Sequence, residues 1–384
     1  MFANNGLLIA NHCDLVQPTK NGTTIAKKAI PATNGKIVKK TPAVNGISRI
    51  ASSQDSAKKV ETNGVEKQSI NPRNYDDLVR LAEIIRSMAD LQQEPKIGII
   101  CGSGLGELAD KIQNPRILPF ADIPGFPSTT VQGHKGNLVF GHLNDAYVMC
   151  LQGRFHPYEH NMDLTLCSMP VRIMHLLGVK TLIISNAAGG VNSKLQYGDL
   201  MLIKDHIFMP GLSGFSPLVG LNDPRFGPRF VSVHDAYDKN LRKAALKVAD
   251  IEGFRIHEGI YVMSGGPQYE SPAEVGFYKA VGGDALGMST CHEVTVARQC
   301  GMRVLGFSLI TNICNTDADS SVEVSHEEVL QAGKEAGHRA CKFVTLILDN
   351  MLREDTQELS SEKETGVKLS SEESGIGLDE MDNE

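Results

Sequence analysis

The segment Thr181-Leu182-Ile183-Ile184-Ser185 runs straight into Asn186-Ala187-Ala188-Gly189-Gly190. A short run with a continuous apolar centre and no polar alternation fits a strand covered on both faces, and the small residues after it stop the run at a loop. The same pattern recurs at Lys96–Cys101, Leu138–Phe140, Tyr147–Leu151, Met201–Ile203, Gly259–Met263, Ala285–Gly287 and Val304–Leu309. Between these runs lie stretches with helical spacing: Leu164–Leu177, Ala236–Ile251, Ala273–Val281, Glu293–Cys300 and His326–Leu352. Asn74 is placed to cap a further helix with Asp76 and Asp77 in its first turn. The last helix carries a capping box, Ser325 with Glu328 three residues on. Strands alternating with helices predict an α/β fold, a single domain whose mixed, partly barrel-like sheet is surrounded by helices.

The pattern does not fill the chain. Residues 1–70 carry a net charge of +6 and contain five Asn-Gly dipeptides, but the flanks are Lys, Thr, Ser and Ala rather than alternating apolar residues. Residues 354–384 carry −9, leaving about −4 for the middle of a chain whose net charge is −7. The expected organisation is a disordered basic extension over 1–73, one domain over 74–353 and a disordered acidic tail over 354–384. An amphipathic targeting role for the first segment is disfavoured by its single arginine, Arg49.

Several function classes drop out. No run of ~18 apolar residues suggests a membrane span, and Leu7–Ala10 is too short for a signal-peptide core. Eight scattered cysteines without a C-x2-C pair suggest reduced thiols in a cytoplasmic protein, not a disulfide framework or a zinc site. A mildly acidic domain does not look like a nucleic-acid binder.

In open α/β sheets ligands gather beyond the carboxyl ends of strands, which directs attention to five loops. Gly102-Ser103-Gly104-Leu105-Gly106 offers amides and a hydroxyl for a phosphate at a helix N-terminus, or is simply a tight turn. Its spacing is not the dinucleotide G-x-G-x-x-G. Arg154 and His156, two apart in an extended segment, form an oxyanion clamp, unless Arg154 merely pairs with Glu159. His134, between Gly133 and Lys135, is a third cation-capable group. Asn186–Gly190 leaves backbone N–H groups free to meet a ligand. Tyr269 and Glu270 stand in the Gly- and Pro-bounded segment 264–274, suited to stacking on a planar base and accepting its N–H, although Glu270 also reads as a charge near a helix start. Gly287-Met288-Ser289-Thr290 and Asn312 complete the set; Met288 also reads as core and Asn312 as a turn-maker.

Ile100–Gly106, Gln152–Glu159, Asn186–Gly190, Gly266–Glu274, Gly287–Thr290, Gly306–Asn312 and His326–Gly333 resemble, in order, the motifs of the trimeric purine nucleoside phosphorylases, over about residues 74–353. The resemblance implies phosphorolysis of purine ribonucleosides and deoxyribonucleosides to free base and pentose 1-phosphate, in purine salvage. Inorganic phosphate is then a co-substrate, and neither a cofactor nor a metal is needed. By the same resemblance Ser103, His134, Arg154, His156, the Ala187 amide and Ser289 bind phosphate. Tyr158 and Met288 bracket the ribose, His326 meets the 5′-hydroxyl, and Tyr269, Glu270 and Asn312 hold the base. His156, Glu270 and Asn312 are the expected catalytic groups. Phe230 resembles the residue this family lends to a neighbouring site, which implies a homotrimer.

Glu270 would accept N1–H of hypoxanthine or guanine, while Asn312 would accept N7–H and face O6 with its NH2. A 6-amino purine mismatches both, so inosine and guanosine are expected over adenosine. Three positions depart from the mammalian form of the motifs: Tyr269 for phenylalanine, His292 for proline and Pro157 for methionine. The rival readings are methylthioadenosine phosphorylase, which has aspartate in place of Asn312, and a non-catalytic nucleoside-binding relative.

Overall fold

The computed structural model describes residues 69–321 and 324–365. The expectation for residues 1–68 and 366–384 lies outside the described residues. The rest forms a mixed sheet of nine strands in the order β2-β3-β4-β1-β5-β8-β7-β6-β9. In chain order these are β1 Ile97–Cys101, β2 Gln113–Pro119, β3 Asn137–Leu143, β4 Ala146–Gln152, β5 Thr181–Gly190, β6 Leu200–Phe208, β7 Ile256–Met263, β8 Ala285–Gly287 and β9 Arg303–Ile313.

The strand β5 organises the fold. Along one edge Thr181–Ile184 pair with Ile97–Ile100 of β1, and further on Gly189 and Gly190 pair with Leu286 and Ala285 of β8. Along its other edge it pairs in parallel with β9 from Thr181 to Gly190. The β5–β9 pairing closes β5, β8, β7, β6 and β9 into a five-stranded ring, while β1 to β4 extend from it as an open sheet. Ser185–Ala188 sit where β5 has left β1 and not yet met β8. Such a divergence opens a crevice at strand ends, the place where ligands bind in α/β folds.

Asn186–Gly190, expected as a loop with free amides, is therefore the second half of a strand, paired with β9 throughout except for a register shift between Ala188 and Gly189. Small residues carry no strand signal of their own; the neighbouring backbone keeps them extended. For the same reason β6 and β9 outrun their expected ends. Strand β2 escapes sequence reasoning because it is an edge strand with Pro115 inside and only Leu118 buried.

The helices are α1 Tyr75–Met88, α2 Leu164–Cys167, α3 Met169–Leu176, α4 Met209–Leu212, α5 Lys239–Glu252, α6 Pro272–Ala280, α7 Cys291–Gln299 and α8 His326–Thr365. Asn74 caps α1, its side chain accepting from the Asp77 N–H at 2.9 Å. The expected helix over Leu164–Leu177 is broken at Ser168, because Pro170 has no N–H to continue the ladder. The stretch after the Gly102–Gly106 loop is a 3-10 turn, Gly106–Lys111, not an α-helix with a dipole to offer a phosphate. Helix α8 begins at its capping box, with Glu328 N–H on Ser325 Oγ at 3.2 Å, and continues past the expected boundary at 353.

The core lies on both sides of the open sheet. One cluster packs α1 and α3 against β1, β4 and β5; the other packs α5 and α8 against the opposite face. Helix α8 also touches the Gly102–Gly106 loop backbone to backbone. A Cβ on Gly333 would lie 2.5 Å from the Gly104 Cα, closer than real atoms approach, so only glycine permits this docking.

Candidate active site

The cleft at the β5 divergence is lined by residues of β5, β8 and β9 and by the segments that follow β1, β4 and β7. Arg154 follows β4 through Gly153, whose φ of 120° turns the chain inward. Its side chain is buried and its fork closes on Glu293, in the first turn of α7, with Nη2–Oε2 at 2.9 Å and Nε–Oε1 at 3.4 Å. Nη1 donates to the Ser185 carbonyl at 2.8 Å and to Ser289 Oγ at 3.0 Å. Arg154 thus pairs with Glu293 rather than Glu159, and the bidentate face expected for phosphate is occupied by protein.

Glu159 instead serves His156. Its Oε2 accepts from the His156 backbone N–H at 2.9 Å and sits 3.0 Å from His156 Nδ1, while Oε1 takes the Thr130 hydroxyl at 2.8 Å. Burial alone would raise the Glu159 carboxyl; the bonds from His156 and Thr130 outweigh it and hold it below the ordinary carboxylate range. His156 is lowered by burial and, less strongly, by the Arg154 charge, against the opposing pull of Glu159. Its ring lies between those of His134 at 5.3 Å and Tyr158 at 5.0 Å, both nearly parallel to it. His134 is pushed down to about 3 by burial and by His156 and Arg154. Its Nε2 meets Ser103 Oγ at 3.2 Å, so it touches the cleft through Ser103. Burial also pushes the Tyr158 hydroxyl up to about 12.

The other end of the cleft is less charged. Met288 and Tyr158 converge on Gly266, where φ is 59° and an added Cβ would meet Met288 Sδ at 2.5 Å and the Tyr158 ring at 3.0 Å. Glu270 stands before α6 with Oε1 buried and without a hydrogen-bond partner in the protein. Asn312 emerges from β9 with Oδ1 accepting the Thr311 hydroxyl at 3.2 Å. Tyr269 is half-exposed at the rim, and His326, at the start of α8, has Nε2 3.4 Å from the Gln132 carbonyl.

Ser103, Arg154, His156 and Ser289 therefore gather at one end with Ala187, and Tyr158, Met288, Tyr269, Glu270, Asn312 and His326 line the same cleft. Two expected residues do not line it. His134 stands behind Ser103, and Phe230 lies outside, with 89% of its surface exposed. Sequence reasoning missed Glu293, Glu159 as the histidine's partner, Thr311 and Cys314. The only available signal for Glu293 was a carboxylate four residues after Ser289. His292 is wholly buried with no well-formed hydrogen bond at either ring nitrogen and only a weak contact to the Phe155 backbone, and burial pushes it down to about 4. Among the described residues no cluster of three His, Cys, Asp or Glu side chains could hold a metal, and no helix is long and apolar enough to cross a membrane.

Comparison with known proteins gives a consistent picture. The family model described as the Phosphorylase superfamily matches residues 96–349. Purine nucleoside phosphorylase of Rattus norvegicus is 47% identical over 283 residues, which are 73% of this chain and 97% of the rat protein. Purine nucleoside phosphorylase 1 of Geobacillus stearothermophilus is 47% identical over 260 residues, 67% of this chain and 92% of that protein. Among solved structures, Schistosoma mansoni purine nucleoside phosphorylase in complex with inosine superposes with a TM-score of 0.69 at 43% identity, covering 74% of this chain and 98% of that one. The complex of the same organism's enzyme with adenosine gives 0.68 at 45% identity, covering 72% and 97%.

Proposed function

From the premise that this chain belongs to the purine nucleoside phosphorylases of the phosphorylase superfamily, we propose that it cleaves 6-oxopurine ribonucleosides and 2′-deoxyribonucleosides with phosphate, in purine salvage. The observation that carries the specificity is the buried, partnerless Oε1 of Glu270 in the cleft that Asn312 also lines. A carboxylate oxygen in that state lacks a donor, and N1–H of hypoxanthine or guanine is one. Asn312 has one Oδ1 lone pair engaged by Thr311, leaving the other for N7–H and its NH2 for O6.

In this reading a phosphate oxygen forms a bond to C1′ as the C1′–N9 bond breaks. The bonding pair leaves with the purine, and the proton carried by hydrogen phosphate ends on the base. Ser103, His156, Ser289, the Ala187 amide and the remaining Arg154 N–H hold the phosphate, with His134 steadying Ser103. The gain there is positional. Asn312 meets charge that develops only as the base departs, so it lowers the barrier rather than the ground state. Tyr158 and Met288 pack beside the ribose and His326 takes the 5′-hydroxyl. No cofactor is required. Phe230, exposed and away from its own cleft, fits a residue contributed to the neighbouring subunit of a homotrimer. The cysteine pattern supports a cytoplasmic setting.

The test is base release from inosine, guanosine, adenosine and methylthioadenosine, each with and without phosphate. Phosphate-dependent release from the first two, and at least tenfold lower kcat/KM for the others, is expected. A related enzyme has been solved with adenosine, so turnover rather than binding is the quantity to compare. Equal turnover of adenosine and inosine, or release without phosphate, removes the reading.

A further inference from the structure

Thr290 is the one β-branched residue with positive φ among the described residues, at φ 80° and ψ −54°. The Cys291 N–H donates to the Ser289 carbonyl at 3.0 Å, which makes Ser289–Cys291 a γ-turn of the rare, strained form. Such strain persists only where the surroundings impose it. Thr290 also occupies the N-cap of α7, where a threonine hydroxyl ordinarily accepts an amide of the first turn, yet it makes no capping bond. The hydroxyl is turned elsewhere.

Oγ1 of the fully buried Thr290 takes the Asn186 Nδ2–H at 2.9 Å and lies 3.3 Å from Ser289 Oγ. Asn186 Oδ1 has no partner, so it does not receive the Thr290 proton. Ser289 Oγ is the remaining hydroxyl partner, and either oxygen can donate across that contact. Ser289 Oγ has two lone pairs and one proton. Arg154 Nη1–H fills one lone pair at 3.0 Å, and Thr290, taken as the donor of its 3.3 Å contact, fills the other. With Thr290 as donor the Ser289 proton is turned away from both, towards the cleft that Ser289 lines and the Tyr261 hydroxyl beside it, which accepts the Ser289 N–H at 3.3 Å.

We propose that Thr290 is a positioning residue for the phosphate co-substrate: its strained turn and buried hydroxyl orient the Ser289 O–H as a donor to a phosphate oxygen. Thr290 itself does not line the cleft and acts through Ser289. The proposal rests on the reading of Ser289 as a phosphate contact.

The experiment is a double-mutant cycle between Ser289→Ala and Thr290→Val, with Thr290→Ser as the conservative variant. It is read by KM for phosphate, KM for inosine, and calorimetric titration of inorganic phosphate into the full-length protein. Thr290→Val should raise the phosphate KM and Kd about tenfold while leaving the inosine KM within about twofold. Thr290→Ser should restore phosphate affinity to within about threefold of wild type. On the Ser289→Ala background, Thr290→Val should add less than about twofold, because the hydroxyl has lost the group it orients. Thr290→Ala, read in the same cycle, gives the same pattern if the valine variant fails to fold. Unchanged phosphate affinity in Thr290→Val, equal losses in the serine and valine variants, or additive losses in the cycle would each overturn the proposal. A wild type that does not bind phosphate removes this proposal and the phosphorolysis reading together. Normal wild-type phosphorolysis beside an indifferent Thr290→Val removes this one alone.

Discussion

Glu293 holds Arg154 by a two-bond ion pair in which both side chains are almost completely buried. Removing one partner of such a pair leaves an uncompensated charge in a dry site, which costs about 3–5 kcal/mol. Glu293→Gln keeps an acceptor for the guanidinium but removes the charge, so it should destabilise the protein by about 3 kcal/mol, the low end of that range. An anion in the cleft would replace the missing charge. Inorganic phosphate should therefore raise the Tm of Glu293→Gln by more than it raises that of wild type. An equal phosphate-induced shift in both proteins would show that Arg154 does not face the phosphate.

Asn312→Asp should reverse the preference between purines. A carboxylate repels O6 of a leaving hypoxanthine, where the amide donates to it, but accepts from a 6-amino group. We expect kcat/KM for inosine to fall about 10²-fold, the scale of losing a donor to a developing oxyanion, and the adenosine-to-inosine ratio to rise. Steady-state kinetics with the two nucleosides decides it; a fall shared equally by both would mean that Asn312 only supports the strand end.

How much of this was legible in the sequence depends on what carried each element. The strand cores β1, β4 and β5 are marked by side chains that must be buried, and those runs were readable. The second half of β5 and the edge strand β2 are held by backbone pairing to neighbours distant in sequence, which leaves little trace in composition. The cleft residues were legible where a polar group interrupts a strand end, as with Arg154, Asn312 and Ser289. Glu293 and Glu159 were not, because their roles depend on which cation each meets in space. A carboxylate in the first turn of a helix has an ordinary explanation in the helix itself.

His292 should set part of the acid limit of stability. Its ring is wholly buried with only a weak contact to the Phe155 backbone, and its folded pKa, pushed down to about 4, lies below the ordinary value of 6.5. The unfolded chain therefore binds a proton that the folded chain refuses. Stability is full above pH 6.5 and falls as pH drops from there towards about 4. His134, pushed down to about 3, adds to the loss in the same direction. His292→Leu removes both the proton linkage and two poorly satisfied ring nitrogens, so it should be more stable than wild type at pH 7 by about 1 kcal/mol. The advantage should widen at pH 5. Urea unfolding at the two pH values measures it, and a gap that stays constant would assign the acid loss to other groups.

The contact between Gly333 and Gly104 predicts that one substitution will act with opposite sign at two helical positions. In a solvent-open helix interior, Gly→Ala stabilises by about 1 kcal/mol. Gly276, inside α6, has nothing within 4 Å of where its Cβ would be, so Gly276→Ala should gain stability of that order and leave turnover unchanged. At Gly333 the same methyl would lie 2.5 Å from the Gly104 Cα, and Gly104 belongs to the loop that holds Ser103. Backbone cannot swing aside as a long side chain can. The overlap is relieved by shifting α8 away from the loop, and that displaces His326 at the head of α8 relative to Ser103, which lines the same cleft. A displacement of about 1 Å at positioning groups costs about 10²-fold in rate. Gly333→Ala should therefore lose kcat/KM on that scale and melt below wild type, with KM rising for both phosphate and nucleoside. If Gly333→Ala gained stability as Gly276→Ala does and kept its activity, the close docking of α8 on the Ser103 loop would play no part in building the site.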